Sequence, residues 1–214
     1  MNLFQINELT IKAYNKTAIK YHELFKNELD ENRYDQEILD KFSEMINTKG
    51  LICDAGCGPA GHIGKYLLDK GHEIIGIDIS PQCIEIARKH IPEIEFKEMN
   101  MMSTEFGNDS FEGITSFYSI LFTPKKEVDN IIREFNRILK TGGKLLIAVK
   151  KGTDEGLMYN DWYEGNQIYF TKFIESEMEE YLSRNSFRIE YLDTRKPYEN
   201  EIQEDRIYII GTKE

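Results

Sequence analysis

The stretch Leu51 to Gly61, LICDAGCGPAG, constrains the fold more than any other part of the chain. Leu51, Ile52 and Cys53 make a short apolar run suited to a buried parallel strand, Asp54 closes it, and Gly56, Gly58 and Gly61 follow. Glycines at this spacing let the backbone turn tightly and come close to a ligand. The segment from Ala60 to Lys70 then reads as a helix whose first N–H groups face the loop, which suits the loop to a polar ligand. Gly56-x-Gly58-x-x-Gly61 also satisfies the dinucleotide fingerprint, with Asp78 at the end of the next strand, roughly 20 residues on, where a ribose-binding acid is expected. Taken alone, the pattern leaves open a dinucleotide or another nucleoside cofactor.

The rest of the chain continues the alternation. Tyr14, Ala18, Tyr21 and Phe25 share one face of a helix expected from about Glu8 to Leu29, and Ile38, Leu39, Phe42, Met45 and Ile46 mark a second, with Gly50 as the break before the first strand. Glu73 to Asp78 reads as strand two, and Pro81 to His90 as a helix capped by Ser80. Ile94 to Glu98 reads as strand three and Gly113 to Tyr118 as strand four. An amphipathic helix carries Val128, Ile131, Ile132, Phe135, Ile138 and Leu139, ends at Thr141-Gly142-Gly143, and hands over to strand five at Lys144 to Val149. Such a succession calls for a parallel sheet covered by helices on both faces. A last helix, about Phe173 to Arg184, leads into strands at Phe187 to Leu192 and Arg206 to Gly211, which lack a crossover helix and must pair antiparallel. The expected architecture is a Rossmann-like three-layer α/β/α sandwich. Its sheet is seven-stranded and mostly parallel, closed by a C-terminal antiparallel hairpin and preceded by N-terminal lid helices. We expect one domain over 1–214, with 1–48 as helical leader and 49–214 as core.

Composition narrows the partners. With 27 Lys and Arg against 38 Asp and Glu the formal net charge is -11, a surface that repels a phosphate backbone, so nucleic acid is not expected. No apolar run approaches the roughly 18 residues of a membrane span, and MNLFQINELT lacks a signal-peptide pattern, so a cytoplasmic protein without membrane association is expected. Cys53, Cys57 and Cys83 show no paired spacing, which points to neither disulfides nor a metal site.

Four segments occur in order: Asp54-Ala-Gly-Cys-Gly-Pro-Ala-Gly61, Gly76-Ile-Asp-Ile-Ser-Pro81, Asp109-Ser-Phe-Glu112, and Arg137-Ile-Leu-Lys-Thr-Gly-Gly143. In this set the chain resembles class I S-adenosylmethionine-dependent methyltransferases, from Tyr14 to Lys213. The resemblance implies S-adenosyl-L-methionine as cofactor and S-adenosyl-L-homocysteine as product. It also implies a cofactor site formed by Asp54, Gly56, Cys57, Gly58, Asp78, Ile79, Asn100, Met101 and Tyr118. Asp54 would engage the methionyl amino group directly or through water, and Asp78 would accept from both ribose hydroxyls, since two carboxylate oxygens match a vicinal diol. Many family members carry an acid after strand three; here Asn100 stands in that place, and its amide oxygen can accept from the adenine amine.

For the acceptor pocket the sequence offers Tyr14 and Tyr21 of the leader, Ser119 after strand four, and Tyr159 and Trp162 in the loop from Gly152 to Phe170. No general base is evident; Tyr21, His22 and Tyr118 are the candidates, with His62 also near the expected cleft. The expected activity is methyl transfer by in-line displacement to an unidentified small-molecule acceptor, by a monomer or homodimer. A NAD(P)-dependent oxidoreductase, or a module that binds S-adenosylmethionine without turnover, are the alternatives.

Overall fold

The computed structural model describes residues 1–46, 49–159, 161–199 and 201–214. The leader forms α1 (Leu3–Phe25), the single turn α2 (Glu28–Glu31) and α3 (Arg33–Glu44). Helix α1 starts earlier than the apolar spacing suggests because Asn2 and Gln5 form a reciprocal capping box, each side-chain oxygen accepting from the other's backbone N–H. It also stops earlier, at Phe25, and Asn27 and Asn32 flank α2 in non-helical conformations that split the leader into three pieces. The leader–core boundary expected after residue 48 touches residues 47 and 48, which lie outside the described residues.

The core alternates as the pattern demands: β1 (Leu51–Ala55), α4 (His62–Asp69), β2 (Glu73–Asp78), α5 (Pro81–His90), β3 (Glu95–Glu98), β4 (Phe111–Phe117), α6 (Lys125–Ile138) and β5 (Leu139–Lys150). A small hairpin, β6 (Glu155–Tyr159) with β7 (Gln167–Thr171), occupies what the sequence suggested as loop. Then come α7 (Glu175–Arg184), β8 (Phe187–Arg195) and β9 (Arg206–Lys213). The main sheet has seven strands in the order β3-β2-β1-β4-β5-β9-β8. Strands β1 to β5 are parallel, and β9 runs antiparallel between β5 and β8. The expected mostly parallel sheet with an antiparallel C-terminal pair is therefore present. The diglycine lies inside β5 rather than before it: the partners of β4 jump from Leu139 to Lys144 across a passage where Gly142 has φ +79°.

Side chains of β5 alternate between two cores. Leu145, Ile147 and Val149 face α6 and α7, packing with Ile131, Phe135, Met178 and Leu182, all buried. Leu146 and Ala148 face the other layer, where Phe42 and Leu39 of α3 meet Leu67 of α4 and Ile84 of α5. Helix α1 joins neither layer. Its Ala18 packs with Cys83 and Ile86 of α5, and its Ala13 with Tyr163 and Ile168 of the β6–β7 hairpin, so it bridges two parts of the molecule as a lid.

Candidate functional site

The carboxyl ends of β1, β2, β3 and β4 meet α1 and the α2–α3 turn in a cleft. After β1 the chain turns through Gly56 (φ +79°), Gly58 (φ +61°) and Gly61 (φ +56°), left-handed conformations that a side chain would strain. Gly56 and Cys57 both donate their N–H to Ile77 O, at 2.7 and 3.0 Å, which ties the loop to the end of β2. Asp78 completes the tie: its Oδ2 accepts from Gly58 N at 3.0 Å and its Oδ1 from Ser80 N at 2.8 Å. Each oxygen keeps a further lone pair. Burial pushes the Asp78 carboxyl up to about 6, against those backbone N–H groups, which favour the anion.

Asp54 sits deeper. It is 2% exposed, and its oxygens accept from Gly64 N at 3.1 Å and from the Thr115 hydroxyl at 3.0 Å. Burial raises its carboxyl to about 6 as well, with the Asp78 charge adding to the rise. Asp54 thus fixes the start of the glycine loop and the first turn of α4, and its charge reaches the cleft from behind the loop. Asn100 spends its side-chain oxygen on Met102 N at 2.9 Å, a local turn after β3.

Tyr118, at the end of β4, adopts φ +53° and donates its N–H to Ala148 O at 2.8 Å. Its hydroxyl meets that of Tyr208 at 2.7 Å, and Tyr208 in turn donates to Asp35 Oδ1 at 2.5 Å. Burial raises the phenols of Tyr118 and Tyr21 well above their ordinary range, so at neutral pH both stay protonated and act as donors, not as bases. Ser119 donates to Ala55 O at 2.7 Å and lies against Gly56.

All of Asp54, Gly56, Cys57, Gly58, Asp78, Ile79, Asn100, Met101 and Tyr118 line this one cleft. So do Tyr14, Tyr21 and Ser119. Three residues suggested by the sequence do not. Tyr159 is 73% exposed on β6, because the hairpin turns its alternate side chains outward. Trp162 packs edge-on against Tyr21 and Phe25, at ring separations of 6.4 and 5.7 Å, and so braces the lid from outside. His22 is buried behind the loop, its Nδ1 3.1 Å from Pro59 O and its ring stacked 3.9 Å from His90. Conversely Glu28 and Asp35 line the cleft without having been suggested by any local pattern. Their only sequence signal was an acidic run that also describes a solvated helix face. Among the described residues no group of three or more His, Cys, Asp or Glu could hold a metal ion, and no helix is long and apolar enough to cross a membrane.

Residues 52–143 match the family described as methyltransferase domain. A methyltransferase of Streptomyces halstedii is 31% identical over 111 residues, covering 48% of this chain and 39% of that protein. The demethylmenaquinone methyltransferase of Chlorobaculum parvum is 33% identical over 92 residues, covering 43% of this chain and 37% of that one. The matched stretch thus spans well under half the length of these two relatives. Among solved structures, a methyltransferase of Methanosarcina mazei superposes with a TM-score of 0.71 at 22% identity, over 79% of this chain and 95% of its own. That likeness establishes the fold.

Proposed function

We propose that the chain, read as a single domain over 1–214 and matching the methyltransferase-domain family over residues 52–143, is a class I S-adenosylmethionine-dependent methyltransferase that transfers a methyl group to a small-molecule acceptor. The observation that carries this reading is the joining of the glycine loop, Asp78 and the lid tyrosines in one cleft at the carboxyl ends of the parallel strands. Beyond Gly58 a Cβ would meet nothing closer than Tyr21, at 3.9 Å, so the loop leaves open space against its backbone. Asp78 retains acceptor capacity on both oxygens for a diol. Asn100, its oxygen engaged with Met102, keeps its NH₂ group for a ring nitrogen, so an adenine contact would run through a donor rather than the expected acceptor.

The cofactor, when bound, supplies an electrophilic methyl group on a sulfonium. The chain's own residues would supply position and field. Asp54 and Asp78 set a negative potential suited to a cation, and the glycine loop presents backbone at close range. Tyr118 and Ser119 line the β4 end, and α1 with Tyr14 and Tyr21 would exclude water from the bound cofactor, in keeping with an in-line displacement that needs alignment more than acid–base assistance. The oxidoreductase alternative finds no support in the family match. Calorimetric titration with S-adenosylmethionine, S-adenosylhomocysteine and NAD is the test. Saturable binding of the first two without NAD is expected, and binding of NAD alone would refute the proposal.

A further inference from the structure

The acceptor's chemistry can be taken further, resting on the methyltransferase reading. The titratable side chains lining the cleft include Glu28, Asp35, Asp54, Asp78 and His62, while no Lys or Arg among the described residues lines it. Backbone N–H groups already donate to Asp54 and Asp78. Asp35 accepts from Tyr208 and lies 3.5 Å from Arg195. Glu28 is different. One of its oxygens accepts a long bond, 3.3 Å, from Asn32 Nδ2, and the other lies 3.5 Å from His62 Nε2. Nδ1 of His62 is buried with no hydrogen-bond partner among the described residues. Both residues line the cleft, and Glu28, held by these two long contacts, keeps hydrogen-bonding capacity that buried polar groups rarely leave unused without a ligand or water.

The groups facing Glu28 place it. His62 of α4 lies against it, the charges that act on it are those of Asp35 of α3, Lys150 of β5, and Glu201 and Arg206 beside the start of β9, and its own charge acts on Tyr21 of α1. Strands β5 and β9 lie on the far side of β4 from β2 and β3, whose ends carry Asp78 and Asn100. Glu28 thus sits toward the Tyr118 end of the cleft. We propose that the acceptor is a small molecule with a basic nitrogen, held as a cation by Glu28 in a pocket walled by Tyr14, Tyr21 and Tyr118. Carboxylate and tyrosine faces both favour a cation, whereas an acceptor bearing phosphate or carboxylate would meet a lining of four carboxylates, with Lys150 standing outside that lining, 5.0 Å from the centre of the Tyr118 ring.

Glu28 also receives the proton that such an acceptor must lose. The N–H bond of the ammonium breaks, the O–H bond of the Glu28 carboxyl forms, and the nitrogen lone pair is freed. Burial and Asp35 raise this carboxyl to about 7, so it can take and release a proton near neutrality. A bound cation lowers it again, so binding near pH 6.5 should release a proton.

The experiment is calorimetric titration of the S-adenosylhomocysteine-saturated protein with benzylamine, benzyl alcohol and benzoate. Benzylamine alone should bind saturably, with affinity rising between about pH 6 and 8 as Glu28 ionises, and with a buffer-dependent heat that reports proton release. Glu28→Gln should weaken benzylamine by roughly tenfold or more and abolish the pH dependence, Glu28→Asp should recover part of it, and neither should change S-adenosylhomocysteine affinity. The wild-type pH series stands even if a variant misfolds. No binding of benzylamine, or equal binding of the alcohol or benzoate, would overturn the proposal. Loss of S-adenosylhomocysteine affinity in Glu28→Gln would also overturn it, by assigning Glu28 to the cofactor's own ammonium group. Failure of the wild type to bind S-adenosylhomocysteine is read in the preceding titration, and would sink the methyltransferase reading itself.

Discussion

Gly56→Ala perturbs the point where β1 becomes the cleft. Two separate penalties follow from the structure. The residue has φ +79°, a conformation that costs an L side chain about 1–2 kcal/mol. The new Cβ would also lie well inside van der Waals contact of Ser119 Cβ, 2.9 Å from its Oγ and 3.2 Å from the Met101 methyl. Ser119 cannot swing aside freely, because its hydroxyl is held by Ser116 and Ala55 O, both at 2.7 Å, so overpacking of about 1–3 kcal/mol is added. The variant should be destabilised by about 2–5 kcal/mol in urea unfolding, within the ~5–15 kcal/mol of an ordinary domain, and so remain measurable. The discriminating assay is a double-mutant cycle with Ser119→Gly. Removing the obstructing side chain should return the overlap part, about 1–3 kcal/mol, and leave the backbone part. A coupling energy near zero would refute the steric reasoning, and an unchanged stability would refute the backbone reasoning as well.

The remaining predictions concern charge and the lid. The folded-state carboxyl of Asp78 lies at about 6, above its unfolded value near 4, so the folded protein holds its proton more tightly and loses stability as pH rises through that window. Asp78→Asn should therefore gain stability relative to wild type between about pH 4 and 6 and run parallel to it outside; a constant difference in urea midpoints would contradict this. Arg195, 8% exposed, binds Glu201 at 2.6 Å and lies 3.5 Å from Asp35, so Arg195→Leu should leave two buried acids to Arg206 and the Tyr208 hydroxyl alone and lose about 3 kcal/mol by the same measurement. Trp162→Ala removes two aromatic contacts from the lid and should cost about 1–3 kcal/mol. It should also weaken S-adenosylhomocysteine through Tyr21, and unchanged cofactor affinity would show that the brace does not reach the cleft.

Much of the fold was legible because its determinants are local. The apolar runs at Leu51 to Cys53 and Lys144 to Val149, the cap at Ser80 and the stripe from Val128 to Ile138 each act over a few residues, and each yields the expected element, although Leu139, expected at the end of that stripe, begins β5. Boundaries were less legible where side chains act on the backbone nearby. The Asn2–Gln5 capping box moved the start of α1, and the turn expected at Gly142-Gly143 became part of β5 because β4 offers partners on both sides of it. For the site, the spacing of Gly56, Gly58 and Asp78 carried geometric meaning, since a tight turn and a strand end bring exactly those backbone groups together over short chain distances. The aromatic residues of the 152–170 segment carried none, because an apolar ring packs equally well on a lid, in a pocket wall or on a hairpin face.

By itself, then, the sequence determined the alternating strands and helices of the main sheet, where the chain must turn through left-handed glycines, and which end of the sheet bears the cleft. Those properties follow from side-chain period and backbone conformation, and both are written in neighbouring residues. Tertiary structure alone decided that Glu28 faces His62 at 3.5 Å, that Tyr208 joins Asp35 to Tyr118, and that Trp162 props the lid instead of lining the pocket. Each of these is a meeting of residues far apart in the chain. The raised carboxyl of Glu28 comes from being covered by such neighbours, and desolvation has no signature in the sequence on either side of the residue that feels it.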